Sequence, residues 1–348
     1  MNNTPKDRVR IFRRDGSAAA EFRAKVERSW AIGDEGRAQF VYPSRVTDIV
    51  NEDVLQFGNW LLVENDSLPA WVGVIDTPRT WGSRTVKVCA YTPEHVFGWR
   101  RGPYEVVING SAGEVFEYIL SLVNMVEPTV IVAGDVDKSG INRQETINPT
   151  HLDTDLARIF ERSGEEYQWR AGTDLQGRLV VYADWMNKIG QETTALLHEG
   201  KGGGNIEAVE NVMVEDGKIF NDILGYGDGL TWVSKAKYIV TDQDSIYKYG
   251  LRQTSKYFDG VTSAQTLSDN SYTMLNSVKE PSRKLQLRAL NVGNTFDFIG
   301  LGNKMNLSLQ SVGFQSGGLG YEAQIRIIGM RYDPANKNKI ELTVEVVQ

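Results

Sequence analysis

For most of this chain apolar and polar residues alternate with the period of two that marks β-strands. The clearest stretch spans residues 59 to 91, NWLLVENDSLPAWVGVIDTPRTWGSRTVKVCAY. Trp60 to Val63, Trp71 to Ile75 and Val86 to Tyr91 are three runs of β-branched and aromatic residues. Asn65-Asp66-Ser67 and the turn formers from Pro78 to Ser83 separate them, which predicts a three-strand meander. Around it, residues 7 to 104 read as nearly pure β, with Val9, Ile11 and Phe12 in a first strand and Arg37 to Tyr42 in another. Five tryptophans, Trp30, Trp60, Trp71, Trp81 and Trp99, fall in this part and predict a compact β-domain with aromatic corners.

The period changes after Arg100-Arg101-Gly102-Pro103, a linker signal. Val106 to Ile108 is a short strand. Ser111 and Glu114 form an S-x-x-E capping box, and Phe116, Ile119, Leu120 and Val123 follow at helical spacing. A second helix starts near Asp153 or Thr154, carries Leu156, Ile159 and Phe160, and stops at Gly164. Tyr167 to Arg170 and Leu179 to Tyr182 predict a hairpin around Thr173 to Gly177. Residues 105 to 204 therefore read as a smaller α+β domain ending at the break Glu199 to Gly204.

β-structure resumes with Ile206 to Val214. Phe220 to Gly225 is read as a strand returning to it after the turn Glu215 to Lys218. A short helical piece covers Ser245 to Leu251, and a longer helix runs from Ser263 to Val278 with Ala264, Leu267, Ser271, Met274, Leu275 and Val278 on one face, stopped by Pro281. Strands are expected at Lys284 to Ala289, Phe296 to Ile299, Met305 to Leu309, Tyr321 to Ile328 and Ile340 to Val347. The expected fold class is mainly β with α+β insertions. Two similar β-barrel domains, 1–104 and 205–236 with 283–348, alternate with two smaller helix-containing domains, 105–204 and a helical insert at 237–282.

Composition narrows the function. The 348 residues are 41% hydrophobic and 24% charged, ordinary for a globular protein of two or three domains. No apolar run is long enough for a transmembrane helix, and the N-terminus has no apolar stretch of the secretory kind. The net charge of −7 argues against stable nucleic-acid binding, which phosphate neutralisation dominates. Arg8 and Arg10 alternate with Val9 and Ile11, so they read as the solvated face of a strand.

Candidate chemistry is sparse. His95, His151 and His198 stand far apart and outside zinc motifs. Cys89, the single cysteine, sits in a strand and reads as a small buried hydrophobe. Gly200 to Gly204 lacks the strand-loop-helix context of a phosphate loop and reads as a linker. Asp135, Asp137, Ser139 and Gly140 match the first half of a calcium loop, but Thr146 stands where its last carboxylate is needed, so a polar surface loop is expected. Asp153 and Asp155 could pair as glycosidase carboxylates, but they also sit where a helix N-terminus favours acids. No catalytic, cofactor or metal residue is assigned, and no enzyme activity is expected.

Three places, in this order, carry a resemblance to a known family. Gly58-Asn59-Trp60 precedes Leu68-Pro69-Ala70-Trp71-Val72-Gly73-Val74-Ile75. Asn205-Ile206 leads through Glu215 to Asn221 into Gly225-Tyr226-Gly227-Asp228-Gly229. Asp244 to Gly250, Lys279-Glu280-Pro281, Leu301 to Met305 and Ile327 to Asp333 complete the succession. It resembles the tail hub, or baseplate hub, proteins of tailed bacteriophages over nearly the full chain. That resemblance implies two barrels per chain and a homotrimer whose six barrels give pseudo-sixfold symmetry. It implies a virion component at the tail tip, made in the host bacterial cytoplasm, that joins a sixfold tail tube or distal tail ring to threefold tip structures around the DNA exit channel. The implied partners are the distal tail or tail tube protein, the tape measure protein and a tip fibre or spike protein. Because the chain ends after its last strand, receptor binding or lysis is expected on another polypeptide. The alternatives are a glycan-binding tail-tip module, favoured by an exposed cluster of Trp71, Trp81 and Trp99, and a cell-wall hydrolase.

Overall fold

A computed structural model describes residues 7–43, 54–76, 80–81, 85–200, 203–213, 219–229, 234–310, 320–336 and 338–347. The first half contains β1 (Asp7–Phe12), β2 (Ala18–Ala24), β3 (Val26–Ala31), β4 (Arg37–Pro43), β5 (Trp60–Asn65), β6 (Leu68–Ile75), β7 (Thr80–Trp81) and β8 (Thr85–Tyr91), then a 3₁₀ helix at Pro93–Trp99. Next come β9 (Val106–Gly110), α1 (Ala112–Met125), β10 (Ile131–Val136), β11 (Arg143–Ile147), α2 (Leu152–Ser163), β12 (Glu166–Thr173), β13 (Leu179–Met186) and β14 (Glu192–His198). The remainder is β15 (Ile206–Met213), β16 (Asp222–Tyr226), β17 (Lys237–Thr241), α3 (Gln243–Tyr249), β18 (Gln253–Tyr257), α4 (Ala264–Val278), β19 (Lys284–Leu290), a 3₁₀ helix at Thr295–Phe298, β20 (Lys304–Leu309), β21 (Tyr321–Tyr332) and β22 (Lys339–Val346). The chain is mainly β with helical insertions, as its periodicity predicts.

Among the described residues fourteen strands share one sheet, in the order β15-β19-β22-β21-β3-β4-β8-β6-β5-β1-β2, with β20 on β21, β14 on β20 and β7 on β8. The two halves of the chain meet inside this sheet, where β21 pairs antiparallel with β3 through Met330 opposite Trp30. A buried ion pair stiffens the seam. Arg28 Nη1 lies 3.0 Å from Asp7 Oδ2, and the Arg28 guanidinium packs over the rings of Trp30 and Tyr332.

The stretch at 59–91 has its apolar density for a specific reason. Leu61 and Val63 of β5, with Trp71 and Ile75 of β6, enter the core of the large sheet. Trp60, Leu62, Val72 and Val74 point the other way, into a second core with α1, α2 and β13. Strands covered on both faces lose the polar half of their alternation. By contrast β1 has one wet face. Val9 and Ile11 are buried, while Arg8 pairs with Glu21 at 2.8 Å and Arg10 with Glu64 at 2.8 Å.

The second core belongs to the α/β unit. Ser111 caps α1 in the expected box: its backbone N–H donates to Glu114 Oε2 at 2.8 Å and its hydroxyl accepts from the Glu114 backbone. Phe116, Ile119, Leu120 and Val123 are all buried. Gly164 ends α2 in the left-handed region at φ 71°, which glycine adopts without a Cβ penalty. The predicted hairpin is β12 with β13, and β10 adds in parallel to β13.

Two strand expectations are corrected. β16 does not return to β15, whose partner is β19; it pairs with β17 and, in parallel, with β18. Its buried Ile223 joins Val240 and Leu275 of α4 in a separate small core. Phe296 to Ile299 is not a strand. Gly293 and Asn294 both take positive φ, and the chain winds into the 3₁₀ helix Thr295–Phe298. Strands β11, β14, β17 and β18 had no reading in the sequence. β14 runs parallel to β20 in the large sheet. Turn residues 215–218 lie outside the described residues.

Candidate functional site

A group of titratable side chains surrounds the 3₁₀ helix Pro93–Trp99. Pro93 starts it and its Val96 and Phe97 are buried, so the helix is pinned down and His95 is held at its rim. His95 bridges two loops of the first half. Its Nε2 is 2.6 Å from Asp76 Oδ2 at the end of β6, and its Nδ1 contacts Glu35 Oε1 on the β3–β4 turn. The imidazole stacks on Tyr91 at 4.5 Å and meets the edge of Trp99 at 5.5 Å. Hydrogen bonding to Glu35 and Asp76 outweighs partial burial and raises its pKa to about 9. At neutral pH it is an imidazolium between two carboxylates.

The neighbouring Glu94 behaves oppositely. Burial pushes its carboxyl up to about 7. Oε1 accepts from the Thr92 hydroxyl at 2.8 Å, and hydrogen bonds from Thr92 and from the Trp169 indole offset part of that burial.

Two cavities meet at Glu94 and Tyr167. One, of about 630 Å³, is lined by Asp34, Glu35, His95, Trp99, His151 and Asp153 among others. The other, of about 470 Å³, lies between the first half, β12 and the loop at Gly300–Asn303. The fold thus brings His95 and His151 to one cavity. His198 is elsewhere, on β14, with Nδ1 unpartnered among the described residues.

The remaining candidates have structural employment. Asp135 pairs with Arg170 at 2.8 Å, and Asp137 accepts from the backbone and hydroxyl of Ser139 at 2.8 and 2.6 Å. Among the described residues no group of three or more His, Cys, Asp or Glu side chains is arranged to hold a metal ion. Asp153 opens α2, where its Oδ1 accepts from the Thr154 backbone at 2.7 Å. Asp155 is buried beside Arg158, 2.7 Å away, and burial raises its pKa. The pair of acids is therefore split between a wet helix end and a buried ion pair, with no shared cleft. Cys89 is buried and accepts from Arg37 Nη2 at 3.2 Å. Of Gly200 to Gly204, residues 201 and 202 lie outside the described residues. Trp71 is fully buried with its indole donating to Ser29 O at 3.0 Å, while Trp99 is half-exposed. The side chain of Trp81 lies outside what is described. An exposed cluster that includes Trp71 does not form.

Sequence reasoning missed the groups that tie the units together. Glu166 at the start of β12 and Arg326 of β21 form a buried pair, with Arg326 Nη1 donating to Glu166 Oε1 at 2.9 Å. Arg162 of α2 donates to Glu145 at 3.0 Å and to the Asp259 carbonyl at 2.8 Å, joining the α/β unit to the small β16–β18 sheet. The only signal was a charged residue inside an apolar run, as Arg326 is between Ile325 and Ile327. No helix among the described residues is long and apolar enough to cross a membrane.

No protein-family model matches the chain, and no curated protein matches its sequence. Solved structures do match over its full length. Prophage tail protein gp18 from Listeria monocytogenes is 12% identical, with TM-score 0.62 over 97% of this chain and 94% of that one. A tail protein from Neisseria meningitidis is 13% identical, with TM-score 0.63 over 98% and 96%. The 43 kDa tail protein of prophage MuSo2 from Shewanella oneidensis is 12% identical, with TM-score 0.57 over 98% and 97%. At these identities what is shared is the fold. This chain has the fold of phage and prophage tail proteins.

Proposed function

We propose that this chain is a structural, non-catalytic subunit of a phage-type tail tip, a homotrimeric hub that joins a sixfold tube or distal ring to threefold tip structures. The observation that carries this reading is the end-to-end likeness to three tail proteins, in which almost nothing of either chain is left over. The strand order supports it. In the first half pairing runs from β3 through β4, β8, β6, β5 and β1 to β2, and β2 leads directly into β3. In the second half it runs from β15 through β19, β22, β21 and β20 to β14, and β14 precedes β15 in the chain. Each half is read as a barrel, which gives six per trimer. The α/β unit and the β16–β18 unit with α3 and α4 are read as the insertions. Neighbours of the ring are then the distal tail or tube protein, the tape measure protein and a fibre or spike. The net charge of −7 suits a lumen that DNA crosses without sticking.

The test is to locate an epitope-tagged copy in purified tails by immuno-electron microscopy. Label confined to the tip end of the tube supports the reading. Label along the tube, or tails without label, overturns it.

A further inference from the structure

The two halves of the chain repeat each other strand for strand and in register. In the first half β4 pairs with β8 without a break, from Arg37 opposite Tyr91 to Pro43 opposite Thr85. In the second half β19 pairs with β22 in the same way, from Lys284 opposite Glu345 to Leu290 opposite Lys339. Tyr91 and Glu345 are therefore equivalent, and their neighbours agree. Val74 of β6 stands opposite both Tyr91 and Trp60; Arg326 of β21 stands opposite both Glu345 and Lys304. Trp60 and Lys304 each open their strand. Gln39 and Gln286, the third residues of β4 and β19, face Glu27 of β3 and Asn211 of β15. Strands β3, β4, β5, β6 and β8 thus correspond to β15, β19, β20, β21 and β22.

One strand pairing joins the two repeats. The last residues of β21 run along β3, with Arg331 opposite Ser29 and Tyr332 opposite Arg28. In the first repeat β7 holds the place of that segment: Thr80 lies opposite Lys87 of β8 as Arg331 lies opposite Glu341 of β22. In the second repeat β15 holds the place of β3, with Val212 and Met213 equivalent to Arg28 and Ser29. Among the described residues, however, β7 pairs only with β8, and β15, at the end of the large sheet, only with β19. Each keeps one edge without a strand beside it, and an open edge is a template for another chain. We propose that β7 of one subunit pairs antiparallel with β15 of a second copy, placing Thr80 opposite Met213 and Trp81 opposite Val212. The proposal rests on the homotrimer reading and names the strands that close its ring. The junction made once within the chain is made again between chains. Such a head-to-tail contact between two different patches yields a ring when its rotation closes.

The experiment places cysteine pairs across this seam in the full chain: Thr80→Cys with Met213→Cys, and separately Trp81→Cys with Val212→Cys. Facing residues of an antiparallel pair alternate between Cα separations of about 4.5 and 5.5 Å, both within reach of a disulfide. Thr80→Cys with Glu207→Cys is the out-of-register control, because Glu207 lies about 20 Å along β15 from Met213. Circular dichroism checks that each variant is folded. After mild oxidation, non-reducing electrophoresis is read beside light scattering of the parent chain. The expected result is a covalent species of three 38.9 kDa chains in at least one in-register pair, reversed by thiol and absent from the control. A three-chain parent in which neither folded in-register pair cross-links, or in which the control cross-links equally, overturns the seam and leaves the homotrimer standing. A one-chain parent overturns the homotrimer, and the seam falls with it.

Discussion

The Arg326 guanidinium grips the Glu166 carboxylate with both terminal nitrogens, 160 positions apart in sequence, in a site closed to solvent. Arg326 Nε also donates to Gly302 O at 3.2 Å and Nη2 to Ile189 O at 3.2 Å. Lys188 Nζ adds a contact to Glu166 Oε1 at 2.9 Å. Burial alone would raise the Glu166 pKa; hydrogen bonds from Arg326 and Lys188 bring it below the ordinary value. This pair thus helps clamp the α/β unit to the second half. Arg326→Met leaves the buried Glu166 carboxylate with Lys188 as its remaining charged partner and should cost about 3 kcal/mol in urea unfolding. The double variant Arg326→Met with Glu166→Met should recover much of that loss, because it removes both charges. Two losses that simply add would show that the residues do not act as a pair.

Gly302 and Gly190 let the same junction close. Gly302 has φ +79°, and a Cβ there would lie 2.2 Å from Ile189 O. Gly302→Ala should therefore destabilise the protein by at least about 2 kcal/mol. Denaturant midpoints of this variant and the parent give the comparison, and an unchanged midpoint would refute the close packing.

His95 sets one pH dependence. Its folded pKa of about 9 stands above the ordinary 6.5, so its contribution is fully present below pH 6.5 and is lost as pH rises through 9. With its side chain partly exposed, about 2 kcal/mol is at stake. His95→Gln should flatten the stability profile between pH 6.5 and 9, which thermal unfolding across that range would reveal.

Glu94 sets another. Its folded pKa of about 7 lies above the ordinary 4.5, so the folded state holds a proton that the unfolded state gives up between those values. Stability from this group therefore falls as pH rises from 4.5 to 7 and stays low above. Glu94→Gln removes the buried charge and should stabilise the chain at pH 8 by about 2–3 kcal/mol while leaving pH 4 little changed. Equal effects at both pH values would contradict the burial account.

Where the physics is local, the sequence carried the fold. The Ser111 and Glu114 box, the α1 stripe and the stop at Gly164 are each decided within one or two helical turns. β22 alternates as written, with Ile340, Leu342 and Val344 buried. Polar strands were not legible. β11 reads RQETI and β18 reads QTSKY, and they are strands because partners cover them. β16 shows the same limit in pairing: its small core with α4 closes only when Leu275 arrives from fifty residues away. The cavities were illegible altogether, since Trp30, Glu94, Trp169 and Met330 come together only in three dimensions.

The central claim is a threefold ring, and the absolute mass of the purified chain in solution tests it most directly. Light scattering across a concentration series should give three times the 38.9 kDa of one chain. A mass of one chain throughout the series, at concentrations where a stable hub would persist, would contradict the homotrimer.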